Sequence, residues 1–194
     1  MQTINNVAMI TDRSASDVVA AKKLFAKGFE NMTDDERKQF LSGLKGAYNY
    51  MDFNRVESAI DFLSNKISSS PSELFDLMSE LVVENDEHFS LPYDAEKYAG
   101  MATKTNWSVG ELIQSDELKR YISNILFILD CMHVDDSKIP RKVEGMDYNG
   151  ANEIEKSLIS LDDSLSKVIG QKKNLIESTS KAFFYSAELY GGEV

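Results

Sequence analysis

The chain has 194 residues, 42% apolar and 27% charged, with 21 Lys and Arg against 32 Asp and Glu for a formal charge of -11. A chain this long buries roughly 70% of its unfolded surface, so it folds without disulfides or metal, and its single cysteine, Cys131, excludes an internal disulfide framework. The acidity argues against binding a phosphate backbone, no run approaches the roughly 18 apolar residues of a membrane span, and the start MQTINNVAMITDR lacks the marks of a secretory signal, so a soluble protein made in the cytoplasm is expected.

Three prolines and ten glycines punctuate the sequence, and most segments carry a 3.6-residue apolar period. The expected fold is mainly α, a helical bundle. Its first helix runs from about Ser16 to Lys27, capped by Ser14 or Ser16, with Val18, Ala21 and Phe25 on one face and Gly28 as its stop. Thr33-Asp34-Asp35-Glu36 is a capping box for a second helix through Phe40, Leu41 and Leu44. Asp52 or Asn54 opens a third, whose Val56, Ile60, Leu63 and Ile67 form a core stripe. Ser70, Pro71 and Glu73 signal a further start ahead of Leu74, Leu77, Met78 and Leu81. Residues 84–104 are polar, contain Pro92 and Gly100, and read as a surface connection. They mark the candidate boundary between an N-terminal helical region, 1–104, and a C-terminal one, 105–194.

A helix from about Asp116 to Met132 follows, lined by Leu118, Tyr121, Ile122, Ile125 and Leu129. Val134 to Met146 is a second connection. The last helix is the longest, from about Gly150 to Ser178. Its Ile154, Leu158, Leu161, Leu165, Val168 and Leu175 follow four–three spacing, with Lys172 at one apolar position, which fits either an inter-chain coiled-coil seam or an ordinary long bundle helix. Beyond it, Phe183, Tyr185, Ala187 and Leu189 alternate with Phe184, Ser186, Glu188 and Tyr190. That alternation predicts a short C-terminal β-strand closed by Gly191-Gly192.

No catalytic residue, metal ligand or cofactor is assigned. His88 and His133 sit in or beside the polar connections, outside any HExxH or CxxC spacing. Cys131, between Leu129 and Met132, reads as a small buried apolar residue. Gly43 to Gly46 lacks the Walker spacing. Asp34, Asp35 and Glu36 are explained by capping, Asp135-Asp136 lies in a loop, and Asp162-Asp163 point apart on a helix. Trp107 precedes the capping-box pattern Ser108-Val109-Gly110-Glu111 and reads as a hydrophobic staple, with ligand stacking as the alternative. The aromatic C-terminal stretch has no local hairpin partner, so it must pair elsewhere or leave apolar surface exposed. The candidate self-association or docking residues are therefore Ile154, Leu158, Leu161, Leu165, Val168, Leu175, Phe183, Phe184, Tyr185, Leu189 and Tyr190.

A dispersed set of short blocks adds to this reading. In order they are Thr11-Asp12-Arg13, Met32-Thr33, Leu44-Lys45-Gly46-Ala47-Tyr48-Asn49, Asn54-Arg55-Val56-Glu57, Trp107, Arg120-Tyr121-Ile122 with Asn124, and Ala151-Asn152-Glu153-Ile154-Glu155. Together they resemble a family of tail-associated structural proteins and modules in phages and prophages of Firmicute hosts. The resemblance implies a non-enzymatic virion component near a baseplate, tail tip or fibre. Its implied partners are further copies of itself and other phage tail proteins, with neither nucleic acid nor membrane involved. The alternative is a module that binds a host cell-wall carbohydrate through Trp107. On folding grounds, Arg55 and Glu57 are available for ion pairs, and Asn149 or Asn152 can cap the last helix beside Glu153 and Glu155.

Overall fold

The computed structural model of the chain describes residues 2–70, 95–111, 113–143 and 146–190, with backbone only at 95, 96, 172, 173 and 175–190. It begins with a hairpin that helical periodicity does not reveal. Thr3–Ile4 (β1) and Val7–Ala8 (β2) pair antiparallel, Thr3 opposite Ala8 and Ile4 opposite Val7. Asn5 and Asn6 connect them at φ 49° and 64°. Positive φ at both central residues matches the twist of a two-residue hairpin, and asparagine tolerates it better than most residues. Ile4 is buried, and the hairpin lies on the main helices.

Five α-helices follow among the described residues. Helix α1 spans Ala15–Lys27; Ser14 caps it, accepting from the Asp17 N–H while Asp17 accepts from the Ser14 N–H at 2.8 Å. Helix α2, Asp34–Leu41, starts on the predicted Thr33–Glu36 box. Helix α3, Tyr50–Ser68, begins earlier than expected, because Asn49 caps it and Asp52 accepts from the Asn49 N–H at 2.9 Å. Helix α4 spans Ser115–Asp130. Helix α5 spans Tyr148–Tyr190, 43 residues. At ~1.5 Å per residue that is roughly 64 Å.

The predicted C-terminal strand is a misreading: α5 runs unbroken through Tyr190. Neither Gly nor Pro interrupts residues 171–190. The helix satisfies its own backbone groups, whereas a lone strand would leave them without partners. The helix start predicted at Ser70–Glu73, with Leu74, Leu77, Met78 and Leu81, lies outside the described residues. So does most of the 84–104 connection, which is described from a short 3-10 turn at Ala95–Tyr98 onward.

The described residues form two apolar clusters. The main core joins α3, α4 and α5 through residues such as Ile60, Leu63, Ile125, Leu129, Leu158 and Leu161, and so draws on both sides of residue 104. A satellite packs Ala21, Leu24, Met32 and Leu44 between α1 and α2, with Phe40 and Ala47 against them. Gly46 brings the satellite's two ends together. A Cβ there would stand 2.0 Å from the Asp17 carbonyl oxygen, so the backbones touch only because the side chain is missing. Gly46→Ala should therefore cost about 1–3 kcal/mol, read as a lowered urea midpoint.

The caps carry a pH signature. Glu36 accepts from the Lys27 ammonium at 2.6 Å and from the Thr33 N–H at 2.7 Å, which lowers its carboxyl from 4.5 to about 2. Asp17 is lowered chiefly by its bonds to Ser14. A carboxylate with a depressed folded-state pKa stabilises the fold above its unfolded value and ceases to do so as pH falls through the folded one. The Glu36 contribution should thus be complete above about pH 4.5 and vanish towards pH 2. Far-UV circular dichroism under acid titration checks this, and Glu36→Gln should flatten that part of the curve.

Candidate functional site

Residues from three of the blocks scattered along the sequence, Arg13, Arg55 and the pair Asn152 and Glu155, meet with Asp52 in one buried polar network. Arg13 follows the hairpin, Asp52 and Arg55 sit on the first turns of α3, and Asn152 and Glu155 on those of α5. Asn152 brackets the Arg13 backbone: its Oδ1 accepts from the Arg13 N–H and its Nδ2 donates to the Arg13 carbonyl, both at 2.9 Å. The Arg13 guanidinium then donates to Asp52 at 2.7 Å, to Glu155 at 2.6 Å and to the Ile10 carbonyl at 2.6 Å. Arg55 donates through Nε and Nη2 to the two oxygens of Glu155, at 2.9 and 2.8 Å, and also to Asp52. The Ile10 N–H gives Glu155 a further bond at 2.6 Å.

Glu155 is wholly buried, and the side chains of Arg13 and Asp52 are 3% and 5% exposed. Two guanidinium groups face two carboxylates, so charge balances without solvent. Burial lowers the pKa of Arg13, but Glu155 and Asp52 outweigh it and leave the group raised; Arg55 is raised by the same partners. Tyr48 lies beside Arg13, whose guanidinium is 5.8 Å from its ring centre, and its hydroxyl bonds that of Tyr121. Burial pushes both phenols up. The carboxylates here are engaged by guanidinium and backbone donors, so the cluster's chemistry is that of a lock on chain geometry.

A second pair extends it. Glu57, fully buried, accepts from Arg120 at 2.9 and 2.5 Å and from the Lys104 N–H at 3.0 Å. Asn54 clamps the next segment, donating to the Trp107 carbonyl at 2.9 Å and accepting from its N–H at 2.7 Å. The expectation that Arg55 and Glu57 form ion pairs is met, across about 100 and 63 residues of sequence.

Trp107 is 3% exposed, packs on Phe53 with ring centres 5.6 Å apart, and has the Lys104 ammonium 3.8 Å from its own ring centre. It therefore offers no open face for stacking. Its Nε1–H is buried and lacks a hydrogen-bond partner among the described residues. Of the candidate association residues, Ile154, Leu158, Leu161 and Leu165 are buried in the chain's own core and Val168 is half-buried. These correct the expectation of a free seam, because α3 and α4 already cover that stretch of stripe. The side chains of Leu175, Phe183, Phe184, Tyr185, Leu189 and Tyr190 lie outside the described set.

Cys131 is buried, which pushes its thiol up to about 12, in keeping with a small apolar role. Asp136 pairs with Arg141 at 2.9 Å, Asp135 accepts from the Ser137 N–H at 2.9 Å, and Asp162 pairs with Lys66 at 2.6 Å. His133 lies just past α4 at φ 47°, and His88 is outside the described residues. Among the described residues no three His, Cys, Asp or Glu side chains group as metal ligands, and no helix is long and apolar enough to cross a membrane.

No protein-family profile matches the chain, and neither a curated protein nor a solved structure shows significant similarity to it.

Truncating one partner of a buried ion cluster leaves the others uncompensated. Arg13→Ala should cost about 3–5 kcal/mol in urea unfolding. Combined with Glu155→Gln the loss should fall short of additive by about 0.5–3 kcal/mol, the coupling expected of shared hydrogen bonds.

Proposed function

We propose that this chain is a non-enzymatic structural protein of a phage tail, associated with the baseplate or a fibre and present in multiple copies in the virion. It would be made in the host cytoplasm and join other tail proteins there. The observation that carries the reading is α5. Its first turns are consumed by the core, yet its backbone continues for 21 residues beyond Ile169. Gly170, Gln171 and Asn174 are exposed, and among the described residues nothing stands within 4 Å of the Cβ position at Gly170.

Charge supports the same conclusion. Residues 1–169 hold 18 Lys and Arg against 29 Asp and Glu, while residues 170–194 hold three of each. An acidic body repels its copies, and a neutral helix rich in apolar residues does not. Three of the blocks that carry the tail-protein resemblance supply Arg13, Arg55, Asn152 and Glu155 to the buried lock. They thus define a scaffold that holds α5 in position. The carbohydrate-binding reading ranks second, since Trp107 is buried.

Sedimentation and virion proteomics test the proposal. The full chain should sediment as a multimer, deletion of residues 180–194 should shift it to monomer, and purified virions should contain it. A monomer indifferent to the deletion and absent from virions would sink the reading.

A further inference from the structure

The molecule has two different ends. α3 and α5 run parallel: Arg55 in the first turns of α3 meets Glu155 at 2.8 Å, and Lys66 near its end meets Asp162 at 2.6 Å and Ser166 at 2.8 Å. α5 therefore runs on past the C-terminal end of α3, and Tyr190 lies about 36 Å along the helix beyond Ser166. At the opposite end, against Asn49 and Tyr50 at the start of α3, lies a groove of about 210 Å³.

One wall of the groove is the α1–α2 satellite, with Phe25 and Leu41; the other is formed by Trp107, Val109, Gly110 and Ile113. Val109, Phe25 and Leu41 are 66%, 56% and 51% exposed. Gly110, at φ 81°, makes the turn that holds Val109 at the rim. Trp107 brings to this wall its unpartnered buried N–H. Several large apolar side chains left exposed around one cleft mark a surface that another chain covers.

We propose that this groove receives the C-terminal end of α5 from a second copy, so that the chains join head to tail. That end carries Phe183, Phe184, Tyr185, Leu189 and Tyr190, ring and aliphatic side chains suited to an apolar cleft of this size. Residues 170–194 carry three Lys against three Glu, and residues 1–49, which supply the α1–α2 wall, hold seven Lys and Arg against six Asp and Glu, so the two surfaces meet without the repulsion that opposes contact between the acidic parts of two bodies. The C-terminal end of α5 cannot reach the groove of its own chain. The groove sits at the Glu155 end of α5, and Phe183 is about 42 Å further along the helix. A knob and a hole at opposite ends of one chain form a heterologous contact, which closes into a ring or continues as a stack. The inference rests on the assembly reading above and names the surface that α5 meets.

Complementation between two full-fold variants tests it. Leu41→Asp with Val109→Asp blocks the groove at exposed positions and leaves α5 intact. Deletion of 180–194, or Phe183→Asp with Phe184→Asp, removes the knob and leaves the groove. Each variant, once circular dichroism shows it folded, should sediment alone as a monomer. An equal mixture should sediment at about twice the 21.8 kDa chain mass and grow no further.

If the groove variant still self-associates like the unaltered chain, α5 pairs with α5; the head-to-tail contact then fails and the assembly reading stands. A mixture that stays monomeric also overturns the contact. If the unaltered chain is itself monomeric, both readings fail.

Discussion

Glu155 takes four hydrogen bonds in a site without solvent: one from the Ile10 backbone, one from Arg13 and two from Arg55. A buried carboxylate is tolerated only when such donors replace water, and they must arrive with good geometry. That demand fixes several things at once. It sets the register of α5 on α3, it holds the segment between hairpin and α1 against both, and it draws Asp52 away from a purely capping role. An apolar cluster of equal size would contribute comparable stability but would tolerate a shifted helix. The charged cluster tolerates far less, because displacing α5 by one turn takes Glu155 away from both Arg13 and Arg55 and leaves a buried carboxylate without partners.

The lock also explains how two cores of unequal quality coexist. The main core is continuous through α3, α4 and α5, while the satellite of α1 and α2 is small and leaves Phe25 and Leu41 exposed. Such a unit is too small to stand alone. It is held where the chain enters and leaves it: Arg13 in the lock just before α1, and Gly46 against the Asp17 backbone near its exit. Between these anchors the satellite forms one wall of a cleft whose other wall, the Trp107 turn, is clamped by Asn54.

Much of the helical framework was legible from local chemistry. Thr33 and Glu36 announced α2, and the stripe from Val56 to Ile67 announced α3. The start of α3 was missed because its box pairs Asn49 with Asp52, without the longer Glu or Gln usual at that position. The hairpin was missed because strands of two residues are too short to show alternation. At the far end, an alternating aromatic run looked like a strand, yet alternation has force only where a neighbouring strand can use it, and a helix in progress needs no partner. The candidate association stripe was read correctly as apolar, but periodicity alone does not say whether the covering surface is the same chain or another. The network itself was hidden by distance, since Arg13 and Glu155 are 142 residues apart. Its one local sign was acidic residues set at helical spacing from the apolar stripe: Asp52 four before Val56, Glu57 three before Ile60, and Glu155 three before Leu158.

The span of the lock bears on synthesis. Arg13 leaves the ribosome early and its partner Glu155 follows 142 residues later. Until then Arg13 and the hairpin beside it have no site to enter, and closing so long a loop is among the slowest steps available to a small protein. The neutral end of α5 is translated later still. A nascent chain therefore carries neither a finished body nor a finished knob. Under the head-to-tail proposal, copies growing side by side on one messenger are thereby kept from joining before each has folded.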